Sequence, residues 1–246
     1  MIIKSCRVRK LFILINSLLL VIIILFAPIA FYSFNLDYYE ILQERHGVFS
    51  VLNKDDVLNI SGKIVDFFKY RTNLNLNDPA LQARYANESI SALRLFQPDE
   101  ISHLYDVRTL LTKVLIIYFI SVSLFFIIIL LLTERNIKIF IKNLSMIFII
   151  TPALIIVFII VLYFLGRNFP VLFENFHILF FPQGNYTFAG DSLIISIFPF
   201  GFFYDFFIRL VTGSAVISVI FLFIGLIFDV ISKLLKRREK KEEIII

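Results

Sequence analysis

Four long apolar segments constrain the fold of this 246-residue chain more than any other feature. They cover residues 11–31, 114–132, 146–165 and 206–231. A helix needs about 20 apolar residues to cross roughly 30 Å of hydrocarbon, and each segment is close to that length. Backbone polar groups in lipid must be satisfied within the segment, so we predict four transmembrane helices. The apolar run of the first segment is longer than the core of an export signal, so we expect a permanent anchor there.

Composition and charge agree with a multi-pass membrane protein. Hydrophobic residues make up 59% of the chain and charged residues only 17%, far from the values of a soluble domain. Lys and Arg cluster in residues 1–10, 133–145 and 232–246. Short basic segments stay in the cytoplasm, so we predict that both termini and the loop 133–145 are cytoplasmic. This topology accounts for the net charge of +5 without a nucleic-acid partner, and it places the basic tail beside membrane lipids.

The first extracytoplasmic segment, residues 32–113, is long enough to fold as a cap. Its stretch LNKDDVLNISGKIVDFFKY predicts an amphipathic helix, with Asp55 or Asp56 as the N-cap before an apolar face. The stretch LQARYANESISALRLF, residues 81–96, predicts a second helix. Pro98 then begins a pattern that continues without a break into the second apolar segment. We therefore predict a mainly helical cap.

The second extracytoplasmic segment, residues 166–205, is rich in phenylalanine and interrupted by proline and glycine. These breakers exclude one continuous helix, and we predict a loop that follows the membrane interface. Irregular backbone at this depth is tolerated where it lines a cavity, so we expect a chamber beneath the cap. The predicted fold is an all-α integral membrane protein with four transmembrane helices, an extracytoplasmic, mainly helical cap and an aromatic-rich interfacial loop.

The candidate chemistry rests on three histidines, His46, His103 and His177. Glu100 and Asp106 flank His103 at spacings of three residues, where a carboxylate can orient the ring. Taken alone, this pattern is also typical of solvated charges on an interfacial helix, and His177 of a polar anchor in an aromatic belt. No two histidines have the spacing of metal ligands, and no standard catalytic motif is present, so we expect no metal site. A transporter is not favoured either, because the middle of the apolar segments carries no ionisable residue.

Two stretches, FQPDEISHLYDV and FHILFFPQGNYTFAGDSLIISIFPFGFFYD, resemble the signature regions of a bacterial membrane family. That family includes the lipoprotein intramolecular transacylase, Lit. The resemblance also covers the four membrane helices and the long first outer loop. The matching positions are Glu100, His103, Asp106, Phe176, His177, Tyr186, Asp191, Leu193, Ile194, Phe198 and Pro199. At Tyr186 the family pattern more often has tryptophan.

The resemblance implies an acyl transfer within one substrate, in the bacterial cytoplasmic membrane and at its outer face. A diacylglyceryl lipoprotein would pass its sn-2 acyl chain to the α-amine of its own cysteine, giving an N-acyl lyso-lipoprotein without a cofactor. His103 and His177 are then the expected acid and base, and His46 a residue of the cap. Glu100 or Asp106 would orient His103.

The expected substrate-binding and oxyanion-stabilising residues are Tyr105, Asn185, Tyr186 and Asp191. Two alternatives remain open from the sequence. One is a non-catalytic scaffold or accessory protein whose cap binds a partner. The other is a lipid hydrolase that uses the same histidines with water.

Overall fold

The computed structural model describes residues 6–76, 78–86, 93–133 and 136–245. The elements in chain order are α1 Cys6–Tyr32, α2 Leu36–Arg45, α3 Val48–Val51, α4 Lys54–Phe68, a 3₁₀ turn Pro79–Leu81, β1 Gln82–Arg84, β2 Leu93–Leu95, α5 Pro98–Leu131, α6 Ile137–Gly166, α7 Phe169–Phe180, α8 Leu193–Ile197 and α9 Phe200–Ile245. The chain divides into two compact units. A membrane unit contains the chain up to Pro28, Ile116–Phe164 and the chain from Val211 onward, and a cap unit contains Ile29–Leu115 and Leu165–Leu210.

Within the described ranges four helices are long and apolar enough to cross a membrane, which confirms the predicted fold class. They are Arg7–Tyr32, Pro98–Leu131, Ile137–Gly166 and Phe200–Arg238. As the pattern after Pro98 predicted, the helix that carries His103 continues without interruption into the second apolar segment. Leu130, Val157 and Phe223 are among the many large apolar side chains that these helices leave exposed, as lipid-facing helices do.

Apolar packing and a few buried hydroxyl groups hold the helices of the membrane unit together. Its core contains Ile13, Leu20, Ile24, Phe125, Ile128, Leu132, Ile147 and Ile155. Thr151 Oγ1 donates a hydrogen bond of 3.1 Å to the carbonyl oxygen of Ser17. Gly225 of α9 lies against the backbone of Phe148, and a Cβ at residue 225 would be 2.9 Å from the carbonyl carbon of Phe148. Small residues at such crossings allow two membrane helices to approach closely.

The amphipathic helix predicted in the extracytoplasmic cap is α4, although its N-cap residue differs from the prediction. Asn53, not Asp55 or Asp56, is the N-cap, and its side chain accepts a hydrogen bond from the backbone N–H of Asp56. The two aspartates lie in the first turn, where they still favour the helix through its dipole. The apolar face of α4 is fully buried, with Val57, Ile60 and Phe67 at 0% exposure.

The second predicted cap helix, over residues 81–96, is wrong. In its place β1 pairs antiparallel with β2, with Ala83 opposite Arg94, while residues 87–92 lie outside the described part of the chain. The extended form is fixed from outside the segment, since Asp56 accepts hydrogen bonds from the backbone N–H and the guanidinium of Arg84. The backbone of residue 84 also accepts from the N–H of Asn53 at 2.8 Å. These hydrogen bonds replace those that the backbone would have made within a helix.

The second outer segment is not one continuous helix, as predicted, but it contains more helix than a loop would. Asn168 caps α7, and Pro170 occupies its first turn, where its missing N–H costs nothing. A turn region containing Gly184, whose φ is +79°, separates α7 from the short helix α8. The last helix, α9, begins at Phe200, six residues before the apolar segment assigned from the sequence.

Candidate active site

Glu100 fixes the end of α5 that carries His103. Its side chain is fully buried, and Oε2 accepts a hydrogen bond of 2.5 Å from the N–H of Gln97. The other oxygen, Oε1, accepts one of 2.8 Å from the N–H of Ile194 in α8. The carboxylate therefore caps the N-termini of two helices at once, where negative charge is favourable. These two bonds go to backbone N–H groups and not to the ring of His103, so they do not support the predicted role of Glu100 in orienting that ring.

His177 is placed by an aromatic face of α7. Phe169, Phe173 and His177 recur at intervals of four residues and therefore lie on the same side of the helix. The ring of Phe173 packs against those of Phe200 and Phe203 in the first turn of α9, with centroid distances of 5.5 and 5.4 Å. This packing holds α7, and His177 with it, against the start of α9.

The tautomer of His177 follows from its hydrogen bond to the backbone. Nδ1 lies 2.7 Å from the carbonyl oxygen of Phe173. Because a carbonyl oxygen can only accept, Nδ1 carries the proton, and the neutral ring has its lone pair at Nε2. Burial lowers the pKa of His177, while the Phe173 carbonyl and the charge of Glu174 oppose that shift. The ring is therefore mainly neutral at physiological pH.

The two histidines predicted as acid and base lie side by side. Their ring centroids are 6.0 Å apart and their planes differ by 23°. Both side chains are buried, at 8% exposure for His103 and 9% for His177. Across the described ranges no hydrogen-bond partner reaches His103 Nδ1, although that atom is buried.

Aromatic rings surround the pair. The ring of Phe181 lies 4.8 Å from that of His103 and 5.6 Å from that of His177. Phe188 approaches His103 to 5.5 Å, and Tyr186 approaches His177 to 5.0 Å. Of the oxyanion-stabilising residues predicted, Tyr186 is the one whose ring contacts a histidine.

Asp106 and Asn185 form a polar contact beside this aromatic cluster. Asn185 Nδ2 donates a hydrogen bond of 2.6 Å to Asp106 Oδ2 and one of 3.2 Å to Ser102 Oγ. Since an ionised carboxylate can only accept, the amide must turn its NH₂ group toward Asp106. Both N–H groups of Asn185 are then used, which leaves none for the predicted oxyanion role. Its Oδ1 is buried and has no hydrogen-bond partner in the described structure.

Three further residues lie apart from the histidine pair. Tyr105 packs its ring on Phe67 at 4.7 Å and on the guanidinium of Arg108. Asp191 is exposed, and among the residues described here no hydrogen bond or ion pair links it to either histidine. His46, expected in the cap, bonds through Nε2 to Asp205 at 3.0 Å.

Sequence reasoning missed Ser102, Phe181 and Phe188, and it missed the backbone carbonyl of Phe173. The i, i+4 spacing of Phe169, Phe173 and His177 was a usable signal for α7, since it predicts a shared helical face. No local signal identified the contact between Asp106 and Asn185, because 79 residues separate them.

Comparisons with known proteins identify the family and the fold. The family model for the lipoprotein intramolecular transacylase Lit matches residues 8–203. The solved structure of Lit from Bacillus cereus is 18% identical, with a TM-score of 0.65 over 96% of this chain and 100% of that one.

A histidine-to-arginine mutant of the same Bacillus cereus protein is 16% identical, with a TM-score of 0.66 over 96% of this chain and 95% of that one. A histidine-to-alanine mutant is also 16% identical and has a TM-score of 0.71 over 93% of this chain and 96% of that one. These three likenesses establish a shared fold. No match among curated protein sequences accompanies them. Because the family model covers most of the chain, including both histidines of the pair, the protein belongs to the lipoprotein intramolecular transacylase (Lit) family.

Proposed function

We propose that this transacylase moves the sn-2 acyl chain of a diacylglyceryl-cysteine lipoprotein to the α-amine of the same cysteine, with His103 and His177 as the acid–base pair that carries out the proton transfers. The observation that carries the assignment is the pair of buried imidazoles, 6.0 Å apart within aromatic walls. One reacting centre beside both rings would be within hydrogen-bond reach of a nitrogen from each. We place this site at the outer face of the membrane, with both termini in the cytoplasm, as the distribution of basic residues predicts.

The reaction needs positioning before it needs acid or base. The amine and the ester carbonyl belong to one flexible molecule, and the attack closes a medium-sized ring through the cysteine and the glyceryl carbons. Holding two such groups in contact contributes on the order of 7–11 kcal/mol in well-oriented cases. The rings of Phe181, Tyr186 and Phe188 around the histidines support this role, because they would restrict the acyl and glyceryl groups.

The proton balance assigns a task to each histidine. His177, with Nδ1–H fixed on the Phe173 carbonyl, presents Nε2 to take the extra proton of the α-ammonium. The neutral amine then attacks the ester carbonyl, the N–C bond forms, and His103 removes the second proton from nitrogen. The ester C–O bond breaks as protonated His177 returns its proton to the glyceryl oxygen. His103 finally releases its proton to water, so one ammonium and one ester give one amide, one alcohol and one proton.

The developing negative charge on the ester oxygen needs a donor. The hydroxyl of Tyr186 is our candidate, because its ring lies 5.0 Å from that of His177, with the two planes tilted by 39°. Preorganised donors of this kind are worth several kcal/mol in acyl transfer. Replacing Tyr186 by phenylalanine would test the hydroxyl without removing the ring.

Mass spectrometry of lipoproteins tests the function directly. The chain would be expressed in bacteria that lack a transacylase, and the amino-terminal peptides of their lipoproteins analysed. An N-acyl lyso-form supports the proposal, whereas a lyso-form with a free amine and released fatty acid would indicate a hydrolase. Unchanged diacylated lipoprotein would refute both activities.

Single substitutions test the roles of the two histidines. His103→Ala and His177→Ala are each expected to abolish the N-acyl product while the protein stays in the membrane at normal level. The matched control is His46→Ala, which removes the third histidine, whose ring bonds to Asp205 instead. If both site variants keep making product, the assignment of the histidine pair fails.

A further inference from the structure

Two buried polar atoms beside the histidine pair have no hydrogen-bond partner in the described chain. One is Asn185 Oδ1, which can only accept, and the other is His103 Nδ1, which accepts when the ring carries its proton on Nε2. The carboxylate of Asp106 adjoins both, since it accepts from the amide of Asn185 at 2.6 Å and lies one helical turn from His103 on α5. This side of the site therefore offers acceptors and a negative charge.

A cluster of acceptors is suited to a ligand that has donors alone. Buried polar groups in native proteins are nearly always paired, and an unpaired one calls for an explanation such as a ligand that supplies the missing partner. Of the polar groups in a diacylglyceryl cysteine, the ester oxygens can only accept. The α-ammonium has three N–H groups, no acceptor and a positive charge, and so it matches these residues in both respects.

We infer that Asp106 and Asn185 form the subsite that receives the α-ammonium of the lipidated cysteine. The inference rests on the proposed function and adds the residues that recognise the amine. Asp106 supplies the charge, Asn185 Oδ1 accepts one N–H, and His103 Nδ1 faces the nitrogen that is to attack. Once the nitrogen is acylated it carries no charge and keeps one N–H, so the subsite no longer holds the product.

Asp106 and Asn185 could instead serve only to attach the turn containing Tyr186 and Phe188 to α5. The two roles differ in what they predict for a charge-neutral substitution. In Asp106→Asn the new amide oxygen still accepts from Asn185 Nδ2, so the attachment is kept and the charge alone is removed. A role in attachment alone predicts equal effects on all ligands, whereas recognition of the ammonium predicts an effect on cationic ligands alone.

Binding of two unreactive analogues to the purified full-length protein separates these roles. Both are short peptides whose amino-terminal cysteine carries a dialkyl ether glyceryl group, one with a free α-amine and one with an N-acetyl group. Wild-type protein is expected to bind the free-amine analogue roughly tenfold or more tightly, as for a hydrogen-bonded charge pair. Asp106→Asn should lose most of that preference while its affinity for the N-acetyl analogue stays within about twofold, which also shows that the variant is folded.

Equal weakening of both analogues by Asp106→Asn, or no preference in the wild-type protein, would overturn the inference. Asp66→Asn is the matched control, because this carboxylate of the same unit lies on α4 and pairs with Arg71. Should Asp106→Asn fail to fold, the double variant Asp106→Asn/Asn185→Asp is the alternative. It keeps one carboxylate and one amide in contact and should retain the preference for the free-amine analogue. The binding assay does not require turnover. If the protein prefers the free-amine analogue but yields no N-acyl product, the proposed function is refuted and the subsite is retained.

Discussion

A single methyl group at Gly201 tests whether the start of α9 is held as closely as the structure indicates. A Cβ at this position would lie 2.4 Å from Nδ1 and 2.5 Å from Cε1 of His46, with Cγ at 3.3 Å. The whole imidazole would have to move, because its near end is affected as well as its tip. The same ring bonds through Nε2 to Asp205 at 3.0 Å, one turn further along α9. Gly201→Ala therefore forces either strain or the loss of that bond.

The expected cost comes mainly from the close contact, with a smaller part from the pairing of His46 with Asp205. Overpacking a close contact costs about 1–3 kcal/mol. Displacing His46 would also weaken its pairing with Asp205, but both side chains are about a quarter exposed, which limits that loss to less than about 1 kcal/mol. We expect Gly201→Ala to reduce the free energy of unfolding by about 1–3 kcal/mol. In a protein of this size a reduction of that order lowers Tm by several degrees, which thermal unfolding in detergent measures.

A double-mutant cycle isolates the contact between the two residues. In the His46→Ala background the ring is absent, so Gly201→Ala should cost much less than in the wild-type protein, by about 1 kcal/mol or more. Additive losses from the two substitutions, or a Gly201→Ala variant as stable as the wild-type protein, would refute the close approach. Gly184→Ala is an unsuitable control because of the positive φ at residue 184. Gly190→Ala is suitable, since a Cβ there would meet no atom of the described residues within 4 Å apart from its own chain neighbours.

Four further outcomes follow from other contacts in the structure. Gly225→Ala should destabilise the membrane unit by about 1–3 kcal/mol in thermal unfolding, because its Cβ would meet backbone of α6, whereas Gly190→Ala should be neutral. Burial lowers the pKa of His177, so the acid limb of kcat/KM should have its midpoint below about 6.5. Glu174→Gln should move that limb to still lower pH, because the negative charge of Glu174 raises the pKa of His177; a shift to higher pH would contradict this. Phe188→Ala should increase the ratio of hydrolysed to N-acylated lipoprotein, measured by mass spectrometry, because it opens the wall beside the histidines to water.

The membrane helices could be predicted from sequence because their cause is local. A run such as residues 146–165 satisfies its own backbone and needs no other part of the chain to favour a helix. The amphipathic helix α4 was predictable for the same reason, through the periodic burial of Val57, Ile60 and Ile64. The N-cap residue of α4 could not be singled out, because Asn53, Asp55 and Asp56 are all good N-cap residues and lie within four positions.

The hairpin β1–β2 could not be predicted, because its cause is remote in sequence. Residues 81–96 have helical propensity, but Asp56 lies 28 residues before Arg84 and holds it in an extended conformation through three hydrogen bonds. Burial of Ala83 on one side of the strand adds a second influence that the sequence does not record. Tertiary contacts of this kind regularly outweigh local propensity over short segments.

The candidate site also has features that the sequence predicted and features that it did not. The resemblance in FQPDEISHLYDV and FHILFF identified His103 and His177, and the structure brings the two rings together. The spacing around His103 suggested that Glu100 or Asp106 orients the ring, yet the carboxylate of Glu100 accepts hydrogen bonds from the backbone N–H groups of Gln97 and of Ile194, 94 residues away. Helical spacing therefore identified the side chains that belong to the site but not the bonds they make, since those depend on which distant backbone groups need a partner.

Water exclusion is the physical property that would separate a transacylase from a hydrolase with the same two histidines. Water is present at about 55 M, whereas well-oriented intramolecular groups reach effective molarities of roughly 10⁵–10⁸ M, so a tethered amine outcompetes water once it is held in place. In the described part of the chain five rings contact the histidine pair and would both hold the lipid and keep water out, those of Phe173, Phe176, Phe181, Tyr186 and Phe188. The α7 helix that carries His177 and Phe173 is about 18 Å long, too short to cross the membrane, and its other side exposes Val171 and Leu179. We predict that α7 lies at the membrane interface, where it would bring His177 to an ester near the headgroups while hydrocarbon covers its outer side, and that this exclusion of water favours aminolysis over hydrolysis.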